Sequence, residues 1–452
     1  CLYNLRVKGN VIGDYFEVTM MDYGNEPHGL YFMIDNKSFY SSVESVERKL
    51  NPLKSILVVV SMTANTGAGL VLSASPMAKK LFGITNVSRA RNLPKDPRLI
   101  KVAPRMNLYI HRNIQINHIF QQFAAPEDIV PYSIDESLLQ MQHSWRLFGK
   151  TPREVARKIQ LEVKRQLGLY VTVGIGENPT QAKVALDLVA KHDFDLLGDL
   201  NYETYPQTVW PITELNQVWS IGSRTASHLN RIGIHSMKNL AYADPYQLKD
   251  EFGLMGEQLF ALAWGIDRTD VHKLVKINDK SWGNSQVLPS DYTVREEIEL
   301  VISEIVDQTS SRMRHHQQLA GCVALSIGFG YASAEDDGRQ GFSRSMRIDP
   351  TDNSRELFGY CRKLFEDQWN GEVVRNVAVS LSRLTDNSGL QLDLFQEPER
   401  QIKTAATDAV LDRVRDRFGS TAVFKAKNLK KGGTFLQRAG LVGGHNGGNV
   451  FD

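Results

Sequence analysis

The stretch Tyr132-Ser133-Ile134-Asp135-Glu136-Ser137 decides the reading of this 452-residue chain. Two carboxylates, Asp135 and Glu136, stand side by side directly after an apolar, strand-forming run, Ile129-Val130-Pro131-Tyr132. Successive side chains on a strand point to opposite faces. Both acids can therefore serve one site only where the backbone turns. The run Leu138-Leu139-Gln140-Met141 that follows completes a hairpin with the acids at its tip. A further acid, Asp35, closes another apolar run, Leu30-Tyr31-Phe32-Met33-Ile34. Strand-borne acids of this kind can hold two hard cations that prefer oxygen ligands. Such a pair activates a hydroxyl and steadies a leaving pyrophosphate. On residue types alone an Asp-Glu pair is more commonly a solvated turn.

Composition narrows the class. The chain is too long for one ordinary core, so several domains are expected. A 42% hydrophobic fraction and 23% charge are those of a globular protein. No apolar run has the length to span a membrane. The three cysteines, Cys1, Cys322 and Cys361, show neither paired nor metal-ligand spacing, which reads as a reduced, cytoplasmic location. Net charge is only +2, so a nucleic-acid surface must come from local clustering. Residues 1–19 lack a signal-peptide pattern, and Met20 or Met21 is a candidate natural start.

Taken in order, residues 30–35 read as a buried strand, followed by a helix with Asn36 or Ser38 as cap and Phe39, Val43 and Val46 on one face. Ile56–Val60 and Val71–Ala74 are strands around a small, Gly-rich loop. Pro76 starts a helix that carries Lys79 and Lys80. Residues 107–123 are helical. Thr151 caps a helix with Pro152 at its first position. A strand from Tyr170 to Ile175 precedes a helix from Thr180 to Lys191. This mixture predicts an α+β core.

The motifs also resemble a family. Asp35-Asn36-Lys37-Ser38-Phe39-Tyr40-Ser41-Ser42-Val43-Glu44 is similar to the first motif of Y-family translesion DNA polymerases. Ser133-Ile134-Asp135-Glu136 matches their second. Val173-Gly174-Ile175-Gly176 with Gln181-Ala182-Lys183-Val184-Ala185 resembles their third, and Val218-Trp219-Ser220-Ile221-Gly222-Ser223-Arg224-Thr225 their thumb hairpin. The order is the family's, over about residues 29–390, and the chain looks closest to the UmuC-like branch of Gram-positive bacteria. The resemblance implies an α+β multidomain right-hand polymerase: palm, small fingers, helical thumb and βαββαβ little finger. It implies an N-terminal extension at 1–28, a palm at 29–212 with fingers inserted at about 40–105, and a helix-hairpin-helix thumb at 213–270. A basic linker at 271–281, a little finger at 282–386 and a clamp-binding segment with tail at 387–452 complete the plan.

The site residues follow from the matched motifs. Asp35, Asp135 and Glu136 would be catalytic and, with the backbone carbonyl of Asn36, would hold two Mg2+ ions. One ion would lower the pKa of the primer 3′-hydroxyl, and the other would neutralise triphosphate and pyrophosphate. Phe39, Tyr40, Lys79 and Lys191 are the nucleotide-binding candidates. Of these, Phe39 reads as core, and the Tyr40 ring would lie under the sugar and exclude a 2′-hydroxyl. Lys79 can neutralise phosphate as a point charge but lacks arginine's fork. Lys37 departs from the Asp or Asn of many relatives, and Pro76 stands where they carry a phosphate-binding side chain.

Beyond the palm, Ile221-Gly222 and Ile232-Gly233 bracket a helix whose start can present backbone N–H groups to a phosphate. Ser220, Gly222 and Ser223 are the candidate donors. Arg268, Lys273, Lys276 and Lys280 make the following segment basic. Arg344 and Arg347, on the third little-finger strand, are candidate phosphate contacts or edge protection. Gln391-Leu392-Asp393-Leu394-Phe395 matches the bacterial sliding-clamp peptide, with Gln391, Leu392, Leu394 and Phe395 as contacts. Residues 404–418 read as a helix, and the Gly- and Lys-rich stretch after it as a disordered end.

The combined reading is a translesion polymerase that extends a primer on damaged template DNA with dNTPs in the SOS response, acting as a monomer with primer-template DNA and the sliding clamp as partners. Two alternatives stay open: a nonenzymatic DNA-and-clamp accessory protein, against which the intact acids argue, and a nucleotidyl cyclase-like enzyme, against which the duplex-gripping segments argue.

Overall fold

The structure is a computed structural model. It describes residues 20–61, 69–273, 280–330, 338–387, 398–442 and 445–447, with short strand pieces at Val7–Lys8, Val11–Ile12 and Tyr15–Phe16. Contacts divide the chain into two compact units, Cys1–Leu57, Ser73–Leu81 and Tyr109–Leu274 in one, Val58–Leu72, Phe82–Leu108 and Val275–Asp452 in the other.

Along the chain, strand β1 (Tyr31–Asn36) runs into helix α1 (Phe39–Glu47). Strands β2 (Leu57–Val60) and β3 (Val71–Ala74), helix α2 (Pro76–Phe82) and strand β4 (Ile100–Val102) follow. Next come helix α3 (Met106–Phe120), the hairpin of β5 (Ile129–Pro131) and β6 (Glu136–Gln140), and helix α4 (Pro152–Leu167). Strand β7 (Val171–Gly176), helix α5 (Pro179–Ala185) and strand β8 (Leu197–Leu200) close the α+β part. Strands β2, β3 and β4 form a small sheet in the order β3-β2-β4.

The first unit is built on a five-stranded sheet, β8-β7-β1-β6-β5, with only β7 and β8 parallel. β1 lies at its centre because Phe32, Met33 and Ile34 are apolar on both faces and are all buried. Thr151 caps α4 by accepting a hydrogen bond from the Glu154 N–H at 3.2 Å, and Gly168 ends it at φ 67°. Helices α6 (Ser223–Arg231), α7 (Met237–Ala241), α8 (Pro245–Phe252) and α9 (Leu254–Ala263) pack round the fully buried Trp264. The Trp264 indole N–H donates to the Ala241 carbonyl at 2.7 Å, so the ring's one polar group is satisfied.

In the second unit, β9 (Ser281–Tyr292), α10 (Arg295–His315), β10 (Gln318–Phe329), β11 (Gly341–Thr351), α11 (Ser354–Glu366) and β12 (Val374–Asp386) give the expected βαββαβ order. The sheet is antiparallel, β9-β12-β10-β11. Val323, Leu325 and Ile327 alternate with Cys322, Ala324 and Ser326, so one face is buried under α10 and α11 and the other is open.

Two expectations are corrected. Ser38 occupies the cap position of α1 at φ 48° and ψ 51°, and its hydroxyl caps nothing. The hydroxyls of Ser41 and Ser42 close that turn onto the carbonyls of Ser38 and Lys37. Asn36 is no cap either, because it still belongs to β1. The helix expected at residues 404–418 is present, but the stretch after it, read as a disordered end, is folded over most of its length. Helix α12 (Pro398–Phe418), a 3-10 turn at Ala426–Leu429 and helix α13 (Phe435–Ala439) lie against α10. Asp412 accepts from Arg314, Lys425 pairs with Asp307 at 2.6 Å, and the Thr434 N–H donates to Glu304 at 3.0 Å. These partners are charged residues about 100 positions upstream, which is why low apolar content hid the packing.

Candidate active site

The acids meet by strand register. Glu136 is directly opposite Asp35 on the β6–β1 ladder, and Thr172 of β7 is opposite Asp35 on its other side. Residues paired in this way point to one face. Asp135 lies in the turn just before β6, where the Ser133 hydroxyl donates to its Oδ1 at 2.8 Å. The same hydroxyl oxygen accepts from the Glu136 N–H at 3.0 Å. Asn36 ties this tip to β1, since its backbone N–H and its side-chain amide both donate to the Asp135 carbonyl. From α3, Asn113 donates to the Ile134 carbonyl at 2.8 Å.

The third motif explains itself at the same face. A Cβ on Gly174 would lie 2.2 Å from the Ala182 carbonyl oxygen, and one on Gly176 would lie 2.3 Å from the Ala182 nitrogen. The two glycines thus let α5 rest directly on the β7 backbone. That close seat brings Lys183 to Glu136, Nζ to Oε1 at 2.6 Å, with both side chains largely buried. After α5 the chain widens into one π turn, Leu186–Ala190. Asp187 in that turn lies 3.3 Å from Lys183 and 2.7 Å from Lys191. Lys191 in turn lies 3.8 Å from Asp35.

Electrostatics follow from this crowding. Burial, with the charges of Asp135 and Glu136 added and Lys191 opposing, pushes the Asp35 carboxyl up to about 6. Burial works against a charged Lys191, but Asp35 and Asp187 outweigh it and hold the ammonium above its usual range. Lys37 and Lys79 are half-buried, and burial lowers both despite the attraction of Asp35. Four lysines therefore surround the acids, and the pattern fits an anionic substrate. The hard-oxygen donor set, an overcrowded Asp35 and the buried, unpartnered Asn36 Oδ1 suit a divalent cation. Among the described residues, no three acidic, His or Cys side chains lie together as ligands. Here lysine ammoniums stand against Glu136 and Asp35.

The other candidate residues are placed as follows. Phe39 is buried, while Tyr40 is half-buried and stacks on Tyr109 at 4.5 Å. The Tyr109 hydroxyl donates to the buried Glu44 at 2.9 Å, which fixes that aromatic pair. Ser220, Gly222 and Ser223 are exposed at the start of α6, with Ser220 at φ 73°. Arg344 and Arg347 are both exposed, but they point to opposite faces of β11. Arg347, opposite Cys322, shares the open face, and Arg344, opposite Leu325, is on the helix-covered side. Gln391, Leu392, Leu394 and Phe395 lie outside the described residues. Sequence reasoning gave no role to Lys183, Asp187 or Lys37. The Lys-Asp-Lys spacing of four at 183, 187 and 191 was the available signal.

Comparison with known proteins agrees with the geometry. Residues 34–187 match the model of the impB/mucB/samB family, and residues 279–394 match that family's C-terminal domain. UvrX of Bacillus subtilis (strain 168), named for UV-damage repair, is 38% identical over 94% of this chain and 100% of that protein. DNA polymerase IV 2 of the same strain is 35% identical over 92% of this chain and 98% of its own. DNA polymerase IV of Moorella thermoacetica is 32% identical over 89% and 96%. Among solved structures, the Y-family DNA polymerase chimera Dbh-Dpo4-Dbh shares the fold at a TM-score of 0.64 and 20% identity, covering 79% of this chain and all of that one. The chain belongs to the impB/mucB/samB family and is a Y-family, UmuC-like DNA-directed DNA polymerase.

Proposed function

We propose that this polymerase performs error-prone synthesis across damaged template positions by two-metal nucleotidyl transfer during a DNA-damage response. The observation that carries the chemistry is the cross-strand pairing of Asp35 with Glu136 beside Asp135. Asp35, Asp135, Glu136 and the Asn36 backbone would hold the Mg2+ ions. Bound metal supplies charge neutralisation for the triphosphate and acidifies the primer 3′-hydroxyl. The protein's own part is positioning. Lys37, Lys79 and Lys191 would offer charge to the phosphates, and the Tyr40 ring, braced by its stack on Tyr109, would lie under the sugar. The exposed start of α6 offers N–H donors to a DNA phosphate. The open sheet face, with Arg347 on it, offers a second backbone contact.

The reading extends to a monomeric, cytoplasmic enzyme that docks on the bacterial sliding clamp through Gln391–Phe395. No helix among the described residues is long and apolar enough to cross a membrane.

Primer extension with Mg2+ on undamaged and abasic templates tests the proposal. Wild type should extend both, and Asp135→Ala/Glu136→Ala should extend neither. Tyr40→Ala should admit ribonucleotides at least about tenfold better, a change of roughly 1.4 kcal/mol in discrimination. Added clamp should stimulate wild type but not Leu394→Ala/Phe395→Ala. A folded, DNA-binding wild type that extends nothing, with or without clamp, would favour the accessory-protein alternative.

A further inference from the structure

We propose that Asp187 is a positioning residue that receives Lys183 when a divalent cation takes Glu136, so that metal loading strands no buried ammonium. The inference rests on the metal-site reading above. Its basis is the way three carboxylates share two lysines. Lys183 Nζ lies 2.6 Å from Glu136 Oε1 and 3.3 Å from Asp187 Oδ2. Lys191 Nζ lies 2.7 Å from Asp187 Oδ1 and 3.8 Å from Asp35 Oδ2. Asp187 thus gives one oxygen to each lysine.

A cation on Glu136 must displace Lys183. The Lys183 side chain is only 7% exposed, so its charge has no short way to water. A buried charge deprived of its partner is costly. Asp187 is already near contact, and the ammonium can transfer to it within the pocket. Lys191 rests chiefly on Asp187 from the start, which leaves Asp35 the less firmly held of the two acids.

The π turn makes this possible. In a regular α-helix each step of four residues drifts by about 40° round the axis, so positions 183, 187 and 191 would fan out. The wider turn at Leu186–Ala190 takes back part of that drift. Lys183 and Lys191 then both reach the acids, and Asp187 reaches both lysines. Asp187 is therefore more than the shared member of two i,i+4 pairs; it is the exchange point between lysine and metal.

The test is Mn2+ binding to the full chain without DNA or nucleotide, measured by calorimetry or by the electron paramagnetic resonance of free Mn2+. Asp187→Asn should weaken binding about tenfold when Lys183 is present, and no more than about twofold in a Lys183→Met background. A simple loss of negative charge would weaken binding equally in both backgrounds, and that result would overturn the proposal. Lys183→Met alone should tighten Mn2+ binding. Unchanged or weaker binding would equally overturn it, whether or not Asp187→Asn folds. If wild-type binding is absent, or survives Glu136→Gln unchanged, the metal-site reading itself falls and takes this inference with it.

Discussion

At the scale of single residues, the site is marked by one carboxyl that burial and two neighbouring acids make hard to ionise. Burial pushes the Asp35 carboxyl up to about 6, well above the usual carboxylate range. Between about pH 4 and 6 the folded protein binds a proton that the unfolded chain has lost, so stability falls as pH rises through that window. Two pKa units correspond to roughly 3 kcal/mol. Asp35→Asn should therefore stabilise the metal-free protein at pH 7.5 and have much less effect at pH 4.5, as read by thermal denaturation in EDTA. A variant less stable than wild type at pH 7.5 would contradict this. The acids were legible in sequence because each ends an apolar run. Lys191 was named from the resemblance, but the pairing of Lys183 with Glu136 was not read, since the two are 47 positions apart. The separation of Arg344 from Arg347 was available in principle, because two strand residues three apart fall on opposite faces.

At the scale of elements, the decisive contact is between β7 and α5. The glycines of Val173-Gly174-Ile175-Gly176 matter for what they omit. Gly174→Ala would set a methyl 2.2 Å from a helix carbonyl oxygen, and α5 would have to lift. A cost of about 1–3 kcal/mol is expected from overpacking of this kind. Because α5 carries Lys183, extension activity should fall together with stability in urea titration. Stability lost with activity intact would show that the seat of α5 does not set the site. Strands and helices here were legible in the residue pattern to within a few residues. The cap of α1 was misread, because Ser38 is left-handed there and its hydroxyl makes no cap hydrogen bond.

At the scale of the whole molecule, the second unit is larger than its βαββαβ frame. The C-terminal segment neutralises the charged flank of α10: Arg314 against Asp408 and Asp412, Asp307 against Lys425, Glu304 against Thr434. Arg314 and Asp412 are both nearly buried, at 12% and 15% exposure. Breaking such a pair from one side costs about 3–5 kcal/mol. Arg314→Ala should therefore lower the melting temperature of the second unit by several degrees, and deleting residues 398–452 should do the same. If that deletion leaves melting unchanged, the segment is no part of the unit's stability. The helix of this layer was legible, but its packing onto α10 was not, because ionic contacts rather than an apolar stripe hold it.

The alternation along β10 leaves one more consequence. Cys361 is fully buried, and burial pushes its thiol up to about 12. Cys322 is half-exposed on the open face, directly across from Arg347. The two described cysteines thus differ sharply in reach, and Cys322 is a native chemical reporter for that surface. Its alkylation, followed by peptide mass spectrometry, should slow when duplex DNA is added and recover in high salt as phosphate contacts dissolve. A rate indifferent to DNA would mean that nucleic acid travels by another route across this protein.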